Sequence, residues 1–140
     1  MKKLIVALLA TLLSAAAVSQ AQEPDDMTRF IEQLEPLNER MINAINLDNR
    51  EELESVCMAM IVLYEQQPGN VKEIIRPMMG MVWYNVACLR TLRGDTDGGV
   101  DAFINAVNNG WDNYTHTMND SDLDAIRENP RFQEALKRIE

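Results

Sequence analysis

The chain is predicted to be all-α, a short stack of antiparallel helical hairpins. Three observations carry that prediction. Apolar residues recur every three or four positions from Met27 almost to the C-terminus. No segment alternates with period two over any length, so strands are not expected. The periodic stretches are cut by Pro, Gly and Asn/Asp clusters, which are helix ends and turns rather than helix interiors.

The first helix is carried by Met27, Phe30, Ile31, Leu34, Leu37, Met41, Ala44 and Ile45, with Pro36 predicting a kink or a restart. Asp48 and Asn49 then supply a capping region for a second helix through Leu53, Val56, Cys57, Met60, Ile61 and Tyr64. Met58, Ala59, Val62 and Leu63 are apolar as well, so this helix is expected to be covered on most sides. The turn residues of QQPGN close it. A third set, Val71, Ile74, Ile75, Met78, Val82, Val86 and Leu89, keeps the helical period, and Pro77 either kinks the helix or opens a new one. Gly94 ends it, Asp95 or Thr96 caps the next, and Val100, Phe103, Ile104 and Val107 form a fourth stripe stopped at Asn109-Gly110. WDNYTHTMND reads as a loop. Ser121 with Asp124 reads as a capping pattern for a short helix through Leu123 and Ile126. Pro130 opens the last helix, with Phe132, Leu136 and Ile139 facing inward.

Ahead of these elements, Lys2 and Lys3 precede an apolar run from Leu4 to Leu13 and a small-residue stretch in which Ser19 and Ala21 suit signal-peptidase cleavage. Residues 1–21 are therefore expected to be a cleaved signal peptide of bacterial character. The protein would then be exported, periplasmic or extracellular, with no integral membrane segment in the mature chain. Both lysines fall in that segment and none of the acids does, which leaves 11 of the 13 basic residues against all 22 acidic ones. Such a balance argues against nucleic acid or anionic lipid as a partner. Cys57 and Cys88 would suggest a disulfide in an exported protein. If they lie on helices joined at Pro68-Gly69, however, they sit 11 residues before and 19 after that turn, a mismatch of about 12 Å along the axis. Two buried thiols are expected, and a bridge would need another packing.

Trp83-Tyr84-Asn85-Val86-Ala87, then Gly94-Asp95, then Phe103 and Ala106 resemble one tetratricopeptide repeat. The departures are Gly99 where the repeat usually has alanine, Arg90 where it has an aromatic, and Trp111 where it ends in proline. With the Asn-Gly-Trp that follows and DSDLDAIRENPRF, residues 78–140 look like the end-of-group module of that family, in which helices at Asp-Leu and at Pro130 and Phe132 close the stack. The resemblance implies a degenerate helical pair over 24–67 and a repeat-like hairpin with capping helices over 70–140, together one folded domain. In the family, Ala87 lets the paired helix approach while Phe103 and Ala106 fill the contact. Extended peptides bind along the groove face, which here implies Met81, Tyr84, Asn85 and Cys88. The competing reading is that these four pack against the N-terminal helix pair.

Other motifs carry less. Arg93-Gly94-Asp95 is what a helix-ending turn requires. The aspartate runs at 95–101 and 120–124 lack the glycine and closing glutamate of a calcium loop. Met41, Met58, Met60, Met78, Met79 and Met81 read as adaptable core rather than a copper site. His116 is the only histidine, and no nucleophile stands beside a recognisable base. The expectation is a non-catalytic exported module without metal or cofactor that binds a protein or peptide. Its alternative is a structural subunit completed by self-association or by a larger envelope complex.

Overall fold

The computed structural model describes residues 25–140, so the expected signal peptide lies outside the described residues. These residues form α1 (Asp26–Asn46), α2 (Arg50–Glu65), α3 (Gly69–Leu92), α4 (Thr96–Asn108), α5 (Tyr114–Asn119) and α6 (Pro130–Lys137). A 3₁₀ helix, Ser121–Ile126, stands between the last two. No strand occurs among the described residues, and the fold is all-α as the periodicity predicts. No helix among them is long and apolar enough to cross a membrane. The residues divide into two compact units, 25–75 and 76–140. The division falls inside α3, just before Pro77, whereas the sequence reading set the segments 24–67 and 70–140 on either side of the QQPGN turn, which does separate α2 from α3.

In the first unit, Asp25 caps α1 by accepting from the Thr28 amide at 2.7 Å. α1 lies along α2. Phe30, Leu34, Met41 and Ala44 pack inward with Leu53, Val56, Cys57, Met60, Ile61 and Tyr64, the stripe that the period marked on α2. The corner between them puts Asp48 at φ 48°, a left-handed conformation that aspartate tolerates better than branched residues. Asn49 then caps α2 through the Glu52 amide at 3.0 Å. The first residues of α3 add Val71 and Ile75 to this core. Lys72 pairs with Glu65 at 3.0 Å and lies 5.5 Å from the centre of the Tyr64 ring.

Neither internal proline interrupts its helix: α1 runs through Pro36 and α3 through Pro77. Both prolines are exposed, and so are Glu32 and Glu73 four residues earlier, whose carbonyls lose their amide donors. A carbonyl on the exposed side of a helix can bond water in place of the lost amide, which is why a proline there is tolerated without ending the helix.

In the second unit, α4 packs against α6 and the 3₁₀ helix, with the Phe103 and Phe132 rings 4.4 Å apart. α3 approaches the end of α4 at Gly80, where a Cβ would stand 2.7 Å from the Trp111 amide nitrogen and 3.0 Å from the Asn109 carbonyl oxygen. Those are backbone atoms, so the position has no room for a side chain. Ala87, Phe103 and Ala106 are fully buried where the repeat pattern wants close contact. Gly99, one of the departures from that pattern, has a local reason. A Cβ there would run into the Thr91 hydroxyl, which donates to the Ala87 carbonyl at 2.8 Å, so Thr91 takes the space that an alanine methyl would fill.

Gly94 ends α3 at φ 89° and Asp95, not Thr96, caps α4 through the Gly98 amide at 3.0 Å. Arg93-Gly94-Asp95 is thus a capping corner, with Arg93 paired to Asp95 at 3.1 Å. The stretch read as a loop, WDNYTHTMND, contains α5, capped by Asn113. The capping residue before the next turn is Asp120 rather than Ser121, and that turn is 3₁₀ rather than α. Asn129 caps α6 with Pro130 in its first turn, and Phe132 and Leu136 are buried as expected. Ile139 lies beyond the helix and is half-buried.

Candidate functional site

Tyr84 and Cys88 are four residues apart on α3 and therefore share one side of it. The sequence expected this side to be a groove for a peptide, together with Asn85 and Met81. Instead Tyr84 is 1% exposed, Asn85 and Cys88 are also buried, and Met81 is half-buried. Within the same unit, Tyr84 and Cys88 are covered by the segment 111–120.

The cover is built from polar contacts. Trp111 stacks on Tyr84 with ring centres 4.0 Å apart and planes 20° from parallel. The Trp111 indole N–H donates to the Thr117 hydroxyl at 2.9 Å, and that hydroxyl donates to the Asn113 carbonyl at 2.9 Å. The Tyr84 hydroxyl donates to Asp120 Oδ2 at 2.8 Å, and the Cys88 thiol points at the same oxygen from 3.8 Å. Asp120 Oδ1 accepts from the Asp122 amide at 3.1 Å as the cap of the 3₁₀ turn. Arg127 reaches back to the Asp120 carbonyl at 2.8 Å while holding Asp124 at 2.9 Å. One buried carboxylate thus ties a helix side chain, a turn cap and an arginine-bound backbone together.

His116 flanks this cluster. Its ring stands 5.5 Å from that of Tyr84, and its Nε2, buried and without a hydrogen bond, lies 3.5 Å from Asp120 Oδ2. Cys88, Asp120 and Asp122 bring possible metal-ligand atoms within 4.8 Å of one another. Both Asp120 oxygens already accept hydrogen bonds, and burial, followed by the charge of Asp120, pushes the Cys88 thiol well above its ordinary value. Burial, with Cys88 and Asp120 beside it, likewise pushes the Tyr84 phenol far up. Thiol and phenol therefore both hold their protons at neutral pH. The arrangement is suited to locking a segment in place, and neither group is poised as a nucleophile or base.

Cys57 and Cys88 are free and buried, as the helix spacing predicted. Met41, Met60, Met78 and Met79 are core residues of their units. A shallow hollow of about 230 Å³ between Ile104, Arg131, Glu134, Ala135 and Arg138 offers little, because its arginines are engaged with Asp101 and Asn108. Sequence reasoning missed Asp120 as the partner of Tyr84, and Thr117 and Arg127 as the residues that fix the covering segment through Trp111 and the Asp120 carbonyl. The available signal was Trp111, an aromatic where the repeat pattern ends in proline.

The first unit carries a different feature. Val62 on α2 is 54% exposed, Ile74 65% and Leu47 76%, with Ile42 also exposed. The sequence expected α2 to be covered on most sides, and Val62 contradicts that: α1 packs along α2, Ala59 and Leu63 are half-buried, and Val62 remains open to solvent. Compared with known proteins, the chain matches no family model, no curated protein and no solved structure.

Proposed function

We propose that this protein is an exported, non-catalytic helical-hairpin module of the tetratricopeptide type, and that it works by binding another protein or peptide. The observation that carries the reading is the exposed apolar set of residues 25–75, above all Val62 on a helix whose opposite side already fills the core. The Tyr84 side of α3 is closed by the Trp111–Asp120 segment, so binding is assigned to the open helix surface of the first unit instead of the side named from the family pattern. The buried thiol and phenol, held in their protonated forms, support a non-catalytic role.

The reading is tested by site-specific photo-crosslinking in cells, with the reactive group placed in turn at Val62, at Ile74 and, as a control, at Glu39. A discrete adduct from the apolar positions and none from Glu39 is expected. Unmodified chain from all three positions would reject protein binding by this unit under the conditions used, and an adduct of two copies would favour the structural subunit.

A further inference from the structure

We propose that Cys88, Asp120, Asp122 and His116 form a binding site for one divalent metal ion of the zinc type. The four come from separate elements: Cys88 from α3, His116 from α5, Asp122 from the 3₁₀ helix and Asp120 from its cap. A Cys88 sulfur, an Asp120 oxygen and an Asp122 oxygen already lie within 4.8 Å of one another. With bonds of about 2.3 Å to sulfur and about 2.0 Å to oxygen or nitrogen, neighbouring ligands around a tetrahedral ion stand about 3.3–3.5 Å apart. The Cys88 sulfur is 3.8 Å from Asp120 Oδ2, and His116 Nε2 is 3.5 Å from the same oxygen. Two spacings are thus within a few tenths of an ångström of those a metal would set. Half-buried Asp122 and His116 lie at the rim and draw inward on binding, Asp122 by about 1 Å. The His116 side chain is 22% exposed, which gives an ion its way in.

His116 Nε2 is the second observation that points to a ligand. It is buried, makes no hydrogen bond and faces a carboxylate oxygen. An unpaired buried polar atom is rare enough to need a partner. The lone pair of a neutral imidazole is repelled by a carboxylate unless a cation stands between them, and it is a good metal ligand. Asp120 keeps a lone pair on each oxygen after accepting from Tyr84 and from the Asp122 amide. The Cys88 proton, aimed at Asp120 Oδ2, holds the place that an ion would take. Binding exchanges the two: the S–H bond breaks, an S–metal bond forms and the proton leaves to solvent. Burial opposes a bare thiolate but not a metal-bound one, whose charge the ion compensates. Thiolate and imidazole together favour a zinc-type ion over calcium or magnesium, which take oxygen ligands. The aspartate spacing alone does not reveal this set, because the sulfur comes from 32 residues earlier in the chain. A bound ion would tie α3 to α5 and to the 3₁₀ helix, short elements that tertiary contacts must fix.

The test uses the full mature chain, reduced and freed of metal by a chelator, titrated with Zn²⁺ by calorimetry and with Co²⁺ as an optical probe. Expected are one equivalent of Zn²⁺ bound with about micromolar affinity or better, and the near-ultraviolet absorption of a cobalt–thiolate bond. Cys88→Ser should abolish that absorption and weaken Zn²⁺ binding at least about tenfold, whereas Cys57→Ser should change neither. His116→Gln should weaken Zn²⁺ by a similar factor while keeping the thiolate absorption. It lies at the rim, so it stays informative if Cys88→Ser does not fold. Zn²⁺ should also raise the urea midpoint of the tryptophan signal in the wild type, and a chelator should reverse the rise. No saturable binding up to about 100 μM Zn²⁺ would overturn the proposal. Binding without the cobalt–thiolate absorption, or binding that survives both Cys88→Ser and His116→Gln, would place the ion on surface carboxylates and overturn it as well. Equal competition by Ca²⁺ would do the same. The protein-binding reading rests on residues 25–75 and stands or falls by its own crosslinks.

Discussion

The two units solve the same packing problem with different chemistry. Residues 25–75 are held by an apolar seam between α1 and α2, and their side-chain ion pairs, such as Arg40–Glu52, lie at the exposed surface. Exposed pairs of that kind contribute little to stability. Residues 76–140 instead bury a carboxylate, and Tyr84, Trp111, Thr117 and Arg127 are arranged around it or beside it. Short helices explain the contrast. α5 and the 3₁₀ turn have six residues each, too few to persist on their own, so tertiary hydrogen bonds must fix them. The longer α1 and α2 need only their buried stripes, which leaves their outer faces available for other work.

The largest effect expected from breaking this contrast is in the apolar seam. Phe30 is fully buried, and Phe30→Ala should cost about 4 kcal/mol from lost burial and the cavity left behind. Urea unfolding followed by circular dichroism measures it. Both tryptophans, Trp83 and Trp111, belong to residues 76–140, so their fluorescence reports the other unit separately. A loss under 1 kcal/mol would mean that the seam does not hold the first unit.

Asp120→Asn comes next. It keeps the size of the side chain while weakening the acceptor for the Tyr84 hydroxyl, and it introduces an amide next to the Arg127-bound turn. The expected loss is about 2 kcal/mol, visible in tryptophan fluorescence because Trp111 stacks on Tyr84. Tyr84→Phe should cost less than Asp120→Asn, since it removes the donor and leaves the Asp122 amide bound to the carboxylate. If both variants unfold like the wild type, the buried carboxylate is not a lock.

Alkaline pH separates the units by a third route. Burial, and then the charge of Glu54, pushes the Cys57 thiol from its ordinary 9.0 up to about 12. The unfolded chain therefore gives up this proton first. The thiol's contribution is complete below pH 9 and is lost as pH rises from 9 toward 12. Between pH 8 and 10.5 the loss should be on the order of 1–2 kcal/mol, and Cys57→Ala should flatten the pH dependence seen by circular dichroism. Cys88→Ala should do the same for the fluorescence signal, since burial pushes that thiol up as well. Equal slopes in wild type and variants would remove the thiols from the account.

How much of this the sequence held depends on which residues are asked about. The helices from α1 to α4 and α6 follow from period and punctuation, because Phe30, Leu53 and Phe103 each recur with neighbours on one helical side. α5 was not legible: Tyr114–Asn119 has no apolar stripe, and it exists through the Asn113 cap and the Trp111–Thr117 bond. Tyr84 was legible as a helical position but not as a buried one. Period says that a residue shares a side with Cys88, and it cannot say that a carboxylate 36 residues later will cover both. Val62 failed in the opposite sense: its apolar character suggested burial, and nothing within its own unit covers it. Both misses concern what lies across from a helix, which local pattern does not encode.

The smallest effect sharpens the comparison at the corner between α1 and α2. Asn49 accepts from the Glu52 amide at 3.0 Å, and Asn49→Ala leaves that amide to water, at a cost of about 1 kcal/mol. Asn49→Ser should recover most of it, since serine caps nearly as well. Tryptophan fluorescence monitors whether the loss stays within the first unit. A loss well above 1 kcal/mol, or one that serine fails to rescue, would show that Asn49 also supports the left-handed Asp48 beside it. The corner, and not only the apolar seam, would then hold α1 against α2.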